Sequence, residues 1–222
     1  MRAGFVLVMA KAPVPGRVKT RLCPPLSLEE AAAVAAAALA DTLDAVAVCS
    51  APRRIVALHG APGPWLPAGF EVIPQRGGGL DERLANAWTD ASSGAGPGIQ
   101  IGMDTPQVTA ADLDGLLAAL DGDPLTRRRR AVLAPAEDGG WWAIGLPGGA
   151  DPRAVFTGVP MSTPWTGAAQ ERRLRRLGYE VGAGPVRRDV DTAADLAAVA
   201  AAAPGTRTAH LAGRLLAARS VA

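Results

Sequence analysis

Residues 5–22 constrain this chain more than any other stretch. Phe5-Val6-Leu7-Val8-Met9 is apolar throughout, too short for a helix and without the alternation of a half-buried strand. It therefore predicts a strand covered on both faces, as in a parallel sheet. The run opens into Ala10-Lys11-Ala12-Pro13-Val14-Pro15-Gly16-Arg17-Val18-Lys19-Thr20-Arg21-Leu22. Here Pro13 and Pro15 remove backbone donors, Gly16 permits a positive φ, and Lys11, Arg17, Lys19 and Arg21 fall within eleven residues of one another. A buried strand running into a Pro/Gly loop with converging cations is how α/β proteins place phosphate groups at the carboxyl edge of a sheet. The plainer alternative is a solvated basic loop.

The rest of the chain alternates helix and strand. Ser27-Leu28-Glu29-Glu30 forms a capping box before an Ala-rich helix over 28–46, and Arg54-Ile55-Val56-Ala57-Leu58 reads as the second strand. Phe70-Glu71-Val72-Ile73-Pro74 is a third. Gln75-Arg76-Gly77-Gly78-Gly79 then precedes a helix carrying Leu80, Leu84, Ala87 and Trp88. Gln75 and Gly79 thus sit at a helix amino terminus able to turn N–H groups toward an anion, or in a simple connector. Ile99-Gln100-Ile101-Gly102-Met103 runs into Asp104-Thr105-Pro106, and Thr109 with Asp112 caps a helix bearing Leu113, Leu116, Leu117 and Leu120. The arginines at 127–130 read as a solvated turn. Ala131-Val132-Leu133-Ala134-Pro135 ends in Glu137-Asp138-Gly139-Gly140, whose glycines let the chain fold back into Trp141-Trp142-Ala143-Ile144-Gly145-Leu146. Residues 148–164, with Phe156, Met161, Ser162 and Thr163, show no periodicity and predict a binding loop or lid. A helix over 167–177 and a strand at Tyr179-Glu180-Val181 follow. Thr192 and Asp195 cap one more helix, and Pro204-Gly205 separates it from a last segment with Leu211, Leu215 and Leu216. The pattern predicts an α/β fold with a mostly parallel central sheet covered on both faces, forming one domain over 1–222.

Composition removes several function classes. Hydrophobic residues make up 49% and charged residues 20% of the 222, and the net charge is only +2. Such a chain predicts a sizeable core and no general field for nucleic acid or anionic lipid. No uninterrupted apolar run approaches the ~20 residues of a membrane span, and Met1-Arg2 leads straight into the first strand, so a cytoplasmic protein is expected. Cys23 and Cys49 belong to no CxxC pair, and His59 and His210 stand alone, which argues against a zinc site or a nucleophile-base pair.

Three strands end in charge: Lys11, Asp104 and Glu137-Asp138. If they run parallel, all three ends face one crevice. Carboxylates and a phosphorylated ligand repel each other unless a divalent cation lies between, so Mg²⁺ or Mn²⁺ is the expected cofactor. Asp189 and Asp191 are further candidate ligands, because residues two apart in an extended segment point to one side. Asp191 is equally read as a structural acid beside the next helix start.

Four segments carry a resemblance to a known family. The stretch from Met9 to Leu22, Gly102-Met103-Asp104-Thr105-Pro106, Pro135 through Leu146, and Asp189-Val190-Asp191-Thr192-Ala193-Ala194-Asp195-Leu196 together resemble the bacterial arsenosugar-biosynthesis-type glycosyltransferases. That family is similar to nucleotide-diphospho-sugar transferases of the glycosyltransferase A type and to 2-phospholactate and molybdenum-cofactor guanylyltransferases. The resemblance implies a Rossmann-like three-layer sandwich with a nucleotide over the first loop, a metal on Asp104, and further metal contact from Asp189 or Asp191. The Asp-x-Asp of many such glycosyltransferases is reduced here to Asp104, as in nucleotidyltransferases, yet the first loop holds only one glycine, Gly16. The leading expectation is a metal-dependent glycosyltransferase using a nucleoside-diphosphate sugar and a small-molecule acceptor. In it Lys11, Lys19 and Arg21 neutralise phosphates, Asp138 orients or deprotonates the acceptor, and Trp141, Trp142, Ser162 and Thr163 shape the acceptor side. The second expectation is nucleotidyl transfer from a nucleoside triphosphate with release of pyrophosphate. The third is a nucleotide-binding module without turnover. Oligomeric state is not legible.

Overall fold

In the computed structural model, which describes residues 4–92, 96–121 and 129–218, the opening apolar run is β1 (Phe5–Lys11). It pairs in parallel with β2 (Arg53–His59) on one side and β4 (Gly98–Ile101) on the other. β3 (Glu71–Pro74) adds to β2, and beyond β4 come β6 (Trp141–Leu146), β5 (Arg130–Pro135) and β7 (Glu180–Ala183), giving the order β3-β2-β1-β4-β6-β5-β7. β6 runs antiparallel to both of its neighbours while β5 and β7 are parallel to each other. The carboxyl ends of β1, β4 and β5 consequently share one edge of the sheet, together with the amino end of β6.

Two helical layers cover the sheet. On one face α1 (Leu28–Val48) and α3 (Ala110–Ala119) pack Leu39, Leu43, Leu113 and Leu116 against Val6, Val8, Ile99 and Ile101. On the other, α2 (Leu80–Ala91), α4 (Pro152–Phe156) and α5 (Thr166–Arg176) bury Leu84, Trp88, Phe156 and Leu174 against Phe5, Leu7 and Ile144. Phe5 meets Trp88 edge-on at 5.1 Å between ring centroids, a geometry that contributes about 1 kcal/mol beyond area burial. Two last helices, α6 (Ala193–Ala202) and α7 (Arg207–Ala217), close over α1 through Val34, Leu196, Val199 and Ala212.

The expected capping boxes at Ser27, Thr109 and Thr192 are all present, each with its acidic partner three residues on. α1 is long and apolar enough to cross a bilayer by length and composition, with mean hydropathy 1.7 in its most apolar window. However, 61% of that window is buried in the fold, and α1 serves as a core helix. Residues 148–164 are not wholly irregular as expected: Asp151 caps α4 by accepting from the N–H groups of Arg153 and Ala154, with Pro152 opening the helix. Met1-Arg2 and, in the arginine run, Arg127 and Arg128 lie outside the described residues.

Candidate active site

The loop after β1 is shaped by its own backbone. The N–H of Ala12 donates to His59 O at 2.9 Å, that of Val14 to Ala12 O at 2.8 Å and that of Arg17 to Val14 O at 3.0 Å, with Gly16 at φ 75°. Lys19, left-handed at φ 49°, opens a single 3-10 turn, Thr20–Leu22. Its ammonium is turned inward and donates to Asp104 Oδ2 at 2.8 Å and to Asp191 Oδ1 at 2.9 Å, and its side chain is 10% exposed. Burial alone would lower the Lys19 pKa, but the two carboxylates outweigh it and hold the ammonium well above its ordinary range. Arg21 reaches Asp191 Oδ2 at 3.5 Å from an exposed position. Lys11 and Arg17 are exposed, and their side chains form no hydrogen bond or ion pair with another described residue.

Asp104 follows β4. A Cβ at Gly102 would stand 2.7 Å from Asp104 Oδ1, so the carboxylate folds back against that glycine. The main-chain oxygen of Asp104 accepts from Val190 N–H at 2.9 Å, and Gln107 Nε2 donates to Arg188 O at 2.6 Å. These bonds lay the Arg188–Asp191 segment along the strand ends. Thr105, buried, donates its hydroxyl to Asp189 Oδ1 at 2.5 Å. Burial first, then the Asp104 carboxylate and more weakly Asp138, push the Asp189 pKa up to about 7, against the opposing pull of Thr105 and Lys19. Asp191 is also raised by burial, yet Lys19 and Arg21 bring it below its ordinary value.

The β5–β6 turn supplies the third wall. Asp138 Oδ1 accepts from Gly140 N–H at 2.8 Å, which fixes the carboxylate at the bend. Gly139 stands at φ +88°, and a Cβ there would collide with the Pro164 carbonyl oxygen. Gly167 N–H donates to Gly139 O at 2.9 Å, docking the start of α5 against the turn. Arg188 bridges Glu137 and Asp195, the latter at 3.3 Å, and Arg187 pairs with Asp112 at 2.8 Å. A cavity of about 180 Å³ opens among Glu137, Asp138, Arg188, Asp189, Asp191 and Asp195.

Several expected site residues are placed differently. Trp142 does not line the acceptor side. A bulge at the Ala134/Pro135 register shift turns it into the core, where it is 1% exposed and donates to Pro185 O at 2.8 Å. Trp141 packs on the opposite face against Phe156, 6.3 Å between centroids. Thr163 N–H donates to Thr166 Oγ1 at 3.0 Å, which ties Thr163 to the first residue of α5, and Ser162 beside it is exposed with φ 57°. At Gly79 the helix start is largely closed on itself: Glu82 takes the Gly78 N–H at 2.9 Å, and the Arg83 guanidinium covers the Gly77 and Gly78 carbonyls. Gln75 does reach the crevice edge, donating to Ala10 O and Ala57 O, each at 2.9 Å. Thr105 and Arg188 had no expected role; their adjacency to Asp104 and Asp189 in sequence was the one available signal.

The donor set suits a hard divalent ion. Among the described residues no group of three or more His, Cys, Asp or Glu is assembled around one point. What is present is oxygen-only, and Asp189 is a deeply placed carboxylate facing Asp104 with no ammonium or guanidinium bonded to it. Mg²⁺ and Mn²⁺ fit such a pair, since they take one or two carboxylates and complete their shell with water and phosphate oxygens.

Residues 33–163 match the family described as "Uncharacterized protein conserved in bacteria (DUF2064)". The chain belongs to that family. Beyond it, a phosphoenolpyruvate guanylyltransferase of Streptosporangium roseum is 33% identical over 215 residues, 89% of each chain. One from Salinispora arenicola is 31% identical over 204 residues, again 89% of each. A solved protein of Desulfovibrio desulfuricans G20, described as a nucleotide-diphospho-sugar transferase, is 25% identical with a TM-score of 0.85, covering 98% of this chain and 96% of its own. The α/β architecture of the DUF2064 chain is thus the one seen in that nucleotide-diphospho-sugar transferase.

Proposed function

We propose that this chain is a divalent-metal-dependent transferase that moves a nucleotidyl group from a nucleoside triphosphate to a small phosphorylated acceptor. The observation that carries the reading is the pairing of guanylyltransferase relatives along 89% of the chain with a single acid, Asp104, at the end of β4 opposite a basic loop. An acceptor phosphate oxygen attacks the α-phosphorus, a new P–O bond forms, the bond to the β-phosphate oxygen breaks, and pyrophosphate leaves with its electron pair. Asp104, with Asp189 or Asp191, would hold Mg²⁺ or Mn²⁺, which when bound stabilises charge developing on the leaving pyrophosphate. Lys11, Arg17 and Arg21 would meet phosphate oxygens over the loop. Gln75, its amide hydrogens spent on Ala10 and Ala57, would offer its carbonyl oxygen to donors on a base. A phosphate acceptor is already ionised at neutral pH, so it needs no base, and Asp138 would face it only across the divalent ion. GTP with a phosphorylated carboxylic acid is the first pair to test, because both guanylyltransferase relatives are named for such an acceptor.

Glycosyl transfer remains the second reading, favoured by the nucleotide-diphospho-sugar transferase likeness. There Asp138 would act as a base toward a hydroxyl. Product analysis separates the two: pyrophosphate release dependent on Asp104 supports nucleotidyl transfer, whereas a nucleoside diphosphate released from a nucleotide-sugar, with no pyrophosphate from any triphosphate, would replace it with the second.

A further inference from the structure

Only two of the chain's 23 Lys and Arg residues are lysines, Lys11 and Lys19, and both lie in the loop that opens the crevice. Arginine, used everywhere else, is a planar fork; an ammonium is a compact point charge on a flexible stem. Position 19 exploits that compactness. Its nitrogen fits between two carboxylates contributed by distant parts of the chain, 2.8 Å from Asp104 and 2.9 Å from Asp191. Asp104, and Asp191 as the alternative to Asp189, are acids assigned above to a divalent ion. An ammonium and a divalent cation compete for them, because like charges a few ångströms apart repel strongly away from bulk water.

We propose that Lys19 is the resident cation of the substrate-free site. It gives up Asp104 and Asp191 when the divalent ion arrives, and its released ammonium turns to the phosphates of the nucleotide. The inference rests on the metal-nucleotide reading of the crevice. Its geometry is favourable: the backbone of Lys19 is pinned, its carbonyl accepting from Leu22 N–H at 3.0 Å, while four methylenes leave the ammonium free to swing. Lys11, Arg17 and Arg21 are already exposed along the same loop, so release of Lys19 adds a fourth cation where phosphates would lie. Metal and nucleotide binding then become positively coupled, each removing a cost of binding the other.

The scarcity of lysine makes the exchange observable in the unmodified protein. In protein labelled at lysine, Lys11 and Lys19 give two side-chain resonances, assigned with Lys11→Gln. Mg²⁺ alone should shift the Lys19 signal, and a non-hydrolysable GTP analogue should shift it again, while Lys11 responds to the nucleotide. In parallel, Lys19→Met should bind Mn²⁺ alone about tenfold more tightly than wild type in calorimetry. The factor by which nucleotide tightens Mn²⁺ binding should fall by about tenfold. A Lys19 resonance unmoved at Mg²⁺ saturation, or a Lys19→Met protein that binds Mn²⁺ no tighter, overturns the exchange and leaves the metal site standing. Absence of Mn²⁺ binding in both proteins, with and without nucleotide, overturns the metal-nucleotide reading itself and the exchange with it.

Discussion

Asp189 answers to two opposed demands. Burial and the carboxylates of Asp104 and Asp138 push it up to about 7, while Thr105 and Lys19 favour its charge. A carboxylate whose value in the fold stands above its ordinary 3.8 supports folding most at low pH; that support is lost as pH rises from 3.8 to about 7. Asp189→Asn removes the charge and keeps an oxygen for Thr105. Without metal, its melting temperature should exceed that of wild type by a margin that widens from about pH 4 to about pH 7 and then levels; a margin independent of pH would contradict this account. A divalent ion relieves the same charge by displacing the proton, so Mg²⁺ should stabilise wild type more strongly as pH rises through about 7, a pH dependence that Asp189→Asn should lose. At this scale the sequence was legible in part. It exposed Lys19, Asp104, Asp189 and Asp191 as chemically loaded residues. It assigned Lys19 to ligand phosphates, whereas the structure gives it to carboxylates 85 and 172 positions away, a pairing that no local pattern encodes.

Among the elements, the β5–β6 turn bears most on the cavity. Gly139→Ala would strain a φ of +88° and strike Pro164, at a cost above about 1 kcal/mol. The expected result is a lower melting temperature together with loss of turnover, because Asp138 and the α5 start would move apart. α3 braces the opposite wall through Asp112, which caps Thr109 and holds Arg187. Burial raises its pKa, but the Thr109 N–H and hydroxyl and the Arg187 guanidinium outweigh that and keep it below 3.8. Its contribution is therefore complete above pH 3.8 and fades as pH falls below it, so Asp112→Asn should unfold at a higher pH than wild type in an acid titration. Elements announced by neighbours in sequence were readable: the capping boxes at Ser27, Thr109 and Thr192, and the fold-back at Gly139-Gly140. α4 escaped because five residues carry no period, although Asp151-Pro152 was a usable start signal. Trp142 was misplaced because a bulge reverses the facing of a residue, and bulges depend on the partner strand.

For the whole molecule, the topology brings β1, β4 and β5 to a common edge with one reversed strand among them. Alternating helices and strands predicted the sheet; its order, and the insertion of β6 between β4 and β5, came only from packing. If that edge binds a metal-nucleotide pair, GTP with Mg²⁺ at ~100 times its dissociation constant should add ~2.7 kcal/mol. In a chain of this size that corresponds to a melting shift of roughly 5–10 °C, absent in Asp104→Asn. No shift with any nucleoside triphosphate would remove the proposed chemistry.

The ion pair between Lys19 and Asp191 spans 172 positions, and the clasp of Asp41 on Thr208 spans 167. The first loop can form beside β1, β2 and β4 while synthesis continues, but its inward-facing lysine and the wall opposite it wait for the segment between β7 and α6. Long-range closure of this kind is slow relative to local structure. A nascent chain halted before Arg187 would carry all seven strands of the sheet and none of the Asp189–Asp191 wall. Ligand binding therefore becomes a late event in the protein's biogenesis, a quality test that prematurely terminated chains fail however well their first half folds.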